Sequence, residues 1–330
     1  MAANLREDAS SNQTVRPQDP MLERADRPAQ RVRRIAHATF ETPDIERQLV
    51  YYTEVLGLSV VDRTPDRAWL ATGGDHHSVI LYRGSEPACR RLGFQTGPGA
   101  DLGDYEKYVR SQGVQTERRR DADPFTPDIL TFDDPKGTRI EIFADRPGRP
   151  AGYAAKGVVP NKLGHVAFNV VDIQKVVSFY VDVLGFRVSD WMGDFFAFLR
   201  CGADHHTINL VDSNRVRMNH IAFELRDWAH VETALDHLSR HGCPLVWGPG
   251  RHGIGHNIFT YHRDPDGQMI ELFTELDLVP DEDLAVFEPR PWHRDRPQKP
   301  KVWEKSLAAA NLWGIGPPEG FLDEPKEGRR

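Results

Sequence analysis

From Arg34 onward, short apolar runs alternate with polar punctuation in the manner of strands and amphipathic helices packed together. LGHVAFNV (163–170) alternates strictly: Val166, Phe168 and Val170 share one face, and His165, Ala167 and Asn169 share the other. The branched and aromatic face is expected to pack on helices, so the histidine looks inward across a curved sheet among small neighbours. NHIAFEL (219–225) repeats the device with His220, Ala222 and Glu224. Val176, Val177, Tyr180, Val181 and Leu184 form one helical stripe. They predict a helix over 173–184, capped by Asp172 and closed by Gly185 in the left-handed C′ position. A second helix is predicted over 228–240, capped by Asp227, with Trp228, Val231, Leu235 and Leu238 facing the core and Gly242 ending it. The N-terminal half predicts helices near 43–56, with Pro43 at the first helical position, and 101–112, ended by Gly57 and Gly113.

The pattern is duplicated. IAHATF (35–40) matches LGHVAF (163–168), GGDHHSVIL (73–81) matches GADHHTINL (202–210), and DDPKGTRIEIF (133–143) matches RDPDGQMIELF (263–273), at offsets of 128 to 130 residues. Two copies of one domain are expected, over 34–145 and 161–280, each built from two strand–helix–strand units. Residues 1–33 are polar and aperiodic and read as an arm, and the Gly- and Pro-rich stretch 146–160 reads as a linker. Residues 281–330 read as a tail whose Trp292, Trp303 and Trp313 are expected to pack on the body or on a neighbouring subunit.

Composition narrows the function classes. Lys plus Arg number 42 against 49 Asp plus Glu, a net charge of −7, which argues against nucleic acid or an anionic membrane as partner. The apolar runs are strand-sized, so no membrane span is expected. Cys89, Cys201 and Cys243 form neither a metal-ligand spacing nor an even disulfide framework, which points to a cytoplasmic protein.

Chemistry enters at Glu271. A carboxylate among Met269, Ile270, Leu272 and Phe273 is costly unless paired, and a metal ion is the cheapest partner. His165 and His220, in equivalent positions of successive units, are suitable companions. Two histidines and one carboxylate match the ligand set of a non-haem iron(II) oxygenase site, although residue types alone leave zinc, iron, manganese and nickel open. Three protein ligands leave adjacent positions free for a bidentate substrate and dioxygen.

The motifs GHVAF (164–168), HHTINL (205–210), NHIAFE (219–224), GRHG (250–253), TYHRDPDG (260–267) and IELFTE (270–275) together resemble the type I extradiol ring-cleavage dioxygenases. These are the catechol 2,3-dioxygenase family of the vicinal oxygen chelate superfamily. The resemblance implies an α+β fold of two tandem vicinal-oxygen-chelate domains, each a pair of βαβββ units forming a half-open barrel. It implies iron(II), or manganese(II), on His165, His220 and Glu271. It places an acid/base histidine at His206 rather than His205, with His252 (rather than His256) and Tyr261 hydrogen-bonding substrate and intermediates. The implied reaction is extradiol cleavage of a catechol-type ring by O2 in aromatic-compound catabolism, in a protein that is usually a homo-oligomer. Alternatives on the same scaffold are a glyoxalase-like metal-dependent isomerase, which typically uses more carboxylates, and a non-catalytic small-molecule-binding protein. Arg251, Arg294 and Arg296 are candidates for a substrate carboxylate only by proximity to these motifs or the tail.

The first copy keeps His37 and Glu141, but Arg91 falls where His220 sits, and a guanidinium cannot ligate a cation. It is expected to serve as a metal-free scaffold, with His76 and His77 as relics and His37 and Glu141 pairing with Arg91.

Overall fold

The computed structural model describes residues 30–123, 125–146, 156–280 and 300–321. Most of the expected arm and linker, and Trp292, Arg294 and Arg296, lie outside them.

Four copies of one unit follow one another. The first is β1 (Arg34–Thr42), α1 (Ile45–Val50), β2 (Ser59–Thr64), β3 (Arg67–Ala71) and β4 (Val79–Arg83). The second is β5 (Ala88–Gln95), α2 (Leu102–Ser111), β6 (Glu117–Asp123), β7 (Thr126–Asp133) and β8 (Arg139–Phe143). The third is β9 (Lys162–Val170), α3 (Ile173–Asp182), β10 (Arg187–Met192), β11 (Phe196–Arg200) and β12 (Ile208–Asp212). The fourth is β13 (Arg217–Glu224), α4 (Trp228–Arg240), β14 (Leu245–Arg251), β15 (Ile258–Arg263) and β16 (Met269–Thr274). The tail adds β17 (Lys301–Trp303) and α5 (Leu307–Ala310).

In each unit the last strand returns parallel to the first, and two units join antiparallel through their first strands. The first sheet runs β2-β3-β4-β1-β5-β8-β7-β6. The second repeats that order as β14-β15-β16-β13-β9-β12-β11-β10 and gains β17 beside β10. Each is an α+β half-open barrel, and the two stand in tandem. Among the described residues no helix is long and apolar enough to cross a membrane.

Helix ends follow their capping residues. The carboxylates of Asp101, Asp172 and Asp227 accept N–H bonds from the first turns of α2, α3 and α4. Gly57, Gly113, Gly185 and Gly242 take positive φ just beyond the four helical segments. Three expectations need correction. Pro43 precedes the cap Asp44 and is not the first helical residue. The first helix changes at Tyr51–Val55 into a π-helical turn. Trp228 is 44 % exposed and does not face the core; its ring meets Trp313 of the tail edge-on at 5.8 Å.

One continuous core runs through both halves, with Phe94 edge-on to Phe186 at 5.6 Å. The duplicated DPxG turns insert reciprocally. Asp134 of the first half accepts from Tyr180 Oη of α3 (3.0 Å) and pairs with Lys136. Asp264 of the second half accepts from Gln48 Nε2 of α1 (3.2 Å), while Tyr51 Oη meets His262 Nε2 at 2.6 Å. The second turn carries Asp266 where the first has Lys136, so Asp264 is buried without a cation.

Burial accordingly pushes the Asp264 carboxyl up to about 7. In the unfolded chain it titrates near pH 4, roughly the ordinary aspartate value. Between those values the unfolded state releases a proton that the folded state keeps, so this group's contribution to stability falls as pH rises. Asp264→Asn is expected to raise stability at pH 8 by about 1–4 kcal/mol over wild type, and by much less at pH 4. Urea titrations at the two pH values read this out, and an equal response at both contradicts it. The neutral amide suits the site, because Gln48 Oε1 is itself buried without a partner.

Candidate metal centre

His165 lies on β9, His220 on β13 and Glu271 on β16, neighbours across the middle of the second sheet. Ala222 stands opposite both His165 and Glu271 in register, which sets all three side chains on one concave face. Gly164 clears the approach: a Cβ there would meet Phe273 Cζ at 2.3 Å, and the Phe273 ring packs 5.1 Å from that of His165.

One ligand atom from each of the three residues lies within 4.8 Å of the others, and all three residues are buried. His165 Nε2 and His220 Nε2 each stand 3.1 Å from Glu271 Oε2. Ligands at right angles about an ion with bonds of about 2.1 Å sit about 3 Å apart, so these separations suit a small divalent cation. His220 Nε2, although 3.1 Å from the carboxylate, lacks the alignment for a hydrogen bond and is a buried orphan. Two nitrogens and a carboxylate oxygen, one of them orphaned, fit a resident metal.

Neighbouring residues fix how these groups present themselves. The Asn219 amide donates to Asn169 Oδ1 (3.0 Å) and to the Phe321 carbonyl (2.9 Å), so its own oxygen must accept from His220 Nδ1 (2.9 Å). That bond puts the imidazole hydrogen on Nδ1 and leaves the Nε2 lone pair for a metal. Asn257 Nδ2 donates to Glu271 Oε1 at 2.9 Å, and Tyr261 Oη donates to Oε2 at 2.8 Å. Burial alone would raise the Glu271 carboxyl, yet His165 and His220 hold it well below its ordinary value.

His206, His252 and Tyr261 line the same cavity as the three donors. Asp190 accepts from His205 Nε2 (3.1 Å), which leaves His205 Nδ1 to accept from His206 Nδ1 (3.1 Å) and makes Nε2 the basic atom of His206. Burial pushes His206 well below its usual pKa, so it is neutral at pH 7. His252 donates through Nδ1 to the Ala310 carbonyl (2.6 Å) and turns Nε2 toward Tyr261 Oη (3.2 Å); burial lowers it to about 4. The single phenolic proton of Tyr261 thus has two acceptors, Glu271 and His252.

The neighbouring histidines are engaged elsewhere. His205 and the tail share Asp190, which also accepts from Lys301 N and Trp303 Nε1 (each 3.0 Å). His256 meets Asp277 at 2.7 Å, and His262 holds Tyr51. Arg251 donates to Glu275 (2.8 Å) and to the His256 carbonyl (2.7 Å) and lies 5.4 Å from the Trp313 ring centre. It does not line the cavity. The tail does: Ala309, Ala310, Pro317 and Phe321 form part of its wall. The cavity measures about 60 Å³. The matching concavity of the first half, which has no such cover among the described residues, measures about 540 Å³.

In that first half, Arg91 Nη1 stands 2.9 Å from Glu141 Oε1, and His37 Nε2 stands 2.9 Å from Oε2, the expected pairing. A second guanidinium, unforeseen from the sequence, completes it: Arg146 donates to His37 Nδ1 at 2.7 Å. His37 therefore carries its hydrogen on Nε2, with no lone pair to offer there.

Asn219, Asn257 and Asp190 were not foreseen either. They are polar residues at loop or strand positions whose partners come from distant segments, and only the adjacency of Asn219 to His220 hinted at a role.

A family model described as the Glyoxalase/Bleomycin resistance protein/Dioxygenase superfamily matches residues 34–142 and again 162–272. Metapyrocatechase 2 of Cupriavidus necator is 28 % identical over 280 residues, covering 78 % of this chain and 85 % of the relative. An iron-dependent extradiol dioxygenase of Rhodococcus jostii is 24 % identical over 286 residues, covering 78 % and 94 %. Among solved structures, the Mn(II)-bound glyoxalase of Novosphingobium aromaticivorans superposes with a TM-score of 0.78 at 28 % identity, covering 90 % of this chain and 95 % of that one.

Proposed function

This chain belongs to the glyoxalase/bleomycin resistance protein/dioxygenase superfamily, and from that footing we propose that it is an extradiol dioxygenase. It would open a catechol-type ring beside the diol with both atoms of O2, in the breakdown of aromatic compounds, using iron(II) or manganese(II). The observation that carries this is the convergence of His165, His220 and Glu271 in one cavity with His206, His252 and Tyr261. The names of relatives at 24–28 % identity agree with it.

His165, His220 and Glu271 would hold the ion. Bound there, it would supply a Lewis acid that favours ionisation of a chelating diol and a site of reaction with dioxygen. The protein's own groups manage protons. His206, neutral and with Nε2 as its basic atom, can take the proton a diol releases and return it later. Tyr261 holds a proton between Glu271 and His252, within reach of charge developing in the cavity. The apolar walls and the tail exclude bulk water, which strengthens each of these interactions.

The test is oxygen uptake by the anaerobically iron-loaded protein supplied with catechols. One O2 consumed per ring and a yellow ring-opened product are expected, with neither from His165→Ala. A second reading, a glyoxalase-type isomerase, is favoured by the 28 % identical manganese-bound glyoxalase. It requires metal-dependent isomerisation of a substrate without oxygen uptake. That outcome would replace the dioxygenase proposal.

A further inference from the structure

The walls of the cavity differ from its floor. Met192, Phe196, Phe198 and Ile254 pack together on one side, with Phe196 and Phe198 stacked 4.4 Å apart at 22°. Trp247 and Phe321 stand on the other, 5.1 Å apart, beside Tyr261. We infer, resting on the ring-cleavage proposal above, that this site takes catechols bearing a neutral apolar substituent, alkyl or aryl, and discriminates against catechols bearing a carboxylate.

Three observations carry this. First, the wall is built from apolar side chains packed on one another, so a hydrocarbon substituent meets apolar contacts on both sides. Second, among the described residues the polar groups in the wall are committed or neutral. Trp247 Nε1 donates to the Ile315 carbonyl (2.9 Å), and Asn219 spends its N–H groups on Asn169 and Phe321. Asn209, whose Oδ1 has no partner among the described residues, can meet a hydroxyl but offers no counter-charge. Among the described residues no lysine or arginine lines the cavity. Third, charge is balanced without a further anion: a divalent ion with Glu271 amounts to +1, and a singly ionised diol brings the total to zero. Against the described lining, a substituent carboxylate would add a negative charge with no counter-charge in a desolvated pocket, which is costly. The arginine-bearing concavity belongs to the other half, with Arg67, Arg90, Arg119 and Arg139 in its lining.

The test compares 4-ethylcatechol with 3,4-dihydroxyphenylacetate, which differ by a methyl group against a carboxylate. Each is titrated anaerobically into the manganese-loaded protein in a calorimeter, so that binding is read without turnover. The ethyl compound is expected to bind about 100-fold more tightly, or better. In Met192→Arg, which trades one long flexible side chain for another bearing a cation, the gap is expected to narrow at least about 10-fold. Equal or tighter binding of the acid by the wild-type protein overturns the inference while leaving the ring-cleavage proposal standing. If neither diol binds the loaded protein, that proposal fails and the inference goes with it.

Discussion

Glu271→Gln is expected to abolish tight metal binding and ring cleavage together while leaving the chain folded. The substitution keeps the shape: its oxygen can accept from Asn257 in place of Oε1, and its amide nitrogen, in place of Oε2, faces Tyr261 Oη, whose proton can turn to His252. What it removes is the only negative charge in the donor set. Loss of a group that merely orients a metal ligand typically costs about 10–100-fold in affinity or activity. Loss of the charged ligand itself should exceed that, so occupancy after desalting should fall from one ion per chain to nearly none. Asn257→Ala, which removes an orienting bond alone, belongs in the lower range. Metal analysis after gel filtration, with circular dichroism as the check on folding, reads both variants. Full occupancy in Glu271→Gln would remove Glu271 from the ligand set, and two ions per wild-type chain would contradict the metal-free assignment of the first half.

What could be read from the chain alone follows from how local each signal is. Alternation in LGHVAFNV and NHIAFE, together with duplication, located β9 and β13 and the facing of His165 and His220, because strand geometry ties position to face. Two of the helix caps were readable for the same reason: Asp172 and Asp227 act on N–H groups three residues away. The π-helical turn at Tyr51–Val55 left no such trace, since apolar spacing there fits an ordinary helix equally well. Trp228 was placed inward because nothing local tells a core aromatic from one that awaits Trp313, 85 residues further along the chain. The choice of His206 over His205 came from family resemblance. What distinguishes the two in the fold, the hold of Asp190 on His205, needs β10, the HH loop and the tail strand in place at once. Asn219 and Asn257 are alike in this: each matters through an atom supplied from elsewhere in the fold.

The same duplication makes the interface between halves a controlled comparison, and Lys136→Met is expected to destabilise the protein by about 3 kcal/mol at pH 7. The Lys136 and Asp134 side chains are fully buried and paired, with Tyr180 Oη donating to the carboxylate at 3.0 Å. Lys136 Nζ also lies 4.1 Å from the Phe168 ring centre. Removing one member of a buried pair typically costs about 3–5 kcal/mol, because the other charge stays behind uncompensated. The lower end applies, since Asp134 would keep Tyr180 and the backbone N–H groups of Lys136 (3.1 Å) and Thr138 (2.9 Å). Adding Asp134→Asn to Lys136→Met should therefore recover part of the loss, a coupling that a mutant cycle of urea titrations measures directly. Full additivity of the two single losses would mean that the pair does not act as a unit. The second half supplies the counterpart: with Asp266 in place of the lysine, Asp264 meets the same burial by holding its proton up to about pH 7. A cation in one turn and a retained proton in the other thus meet one constraint, a carboxyl group that folding has enclosed between two domains.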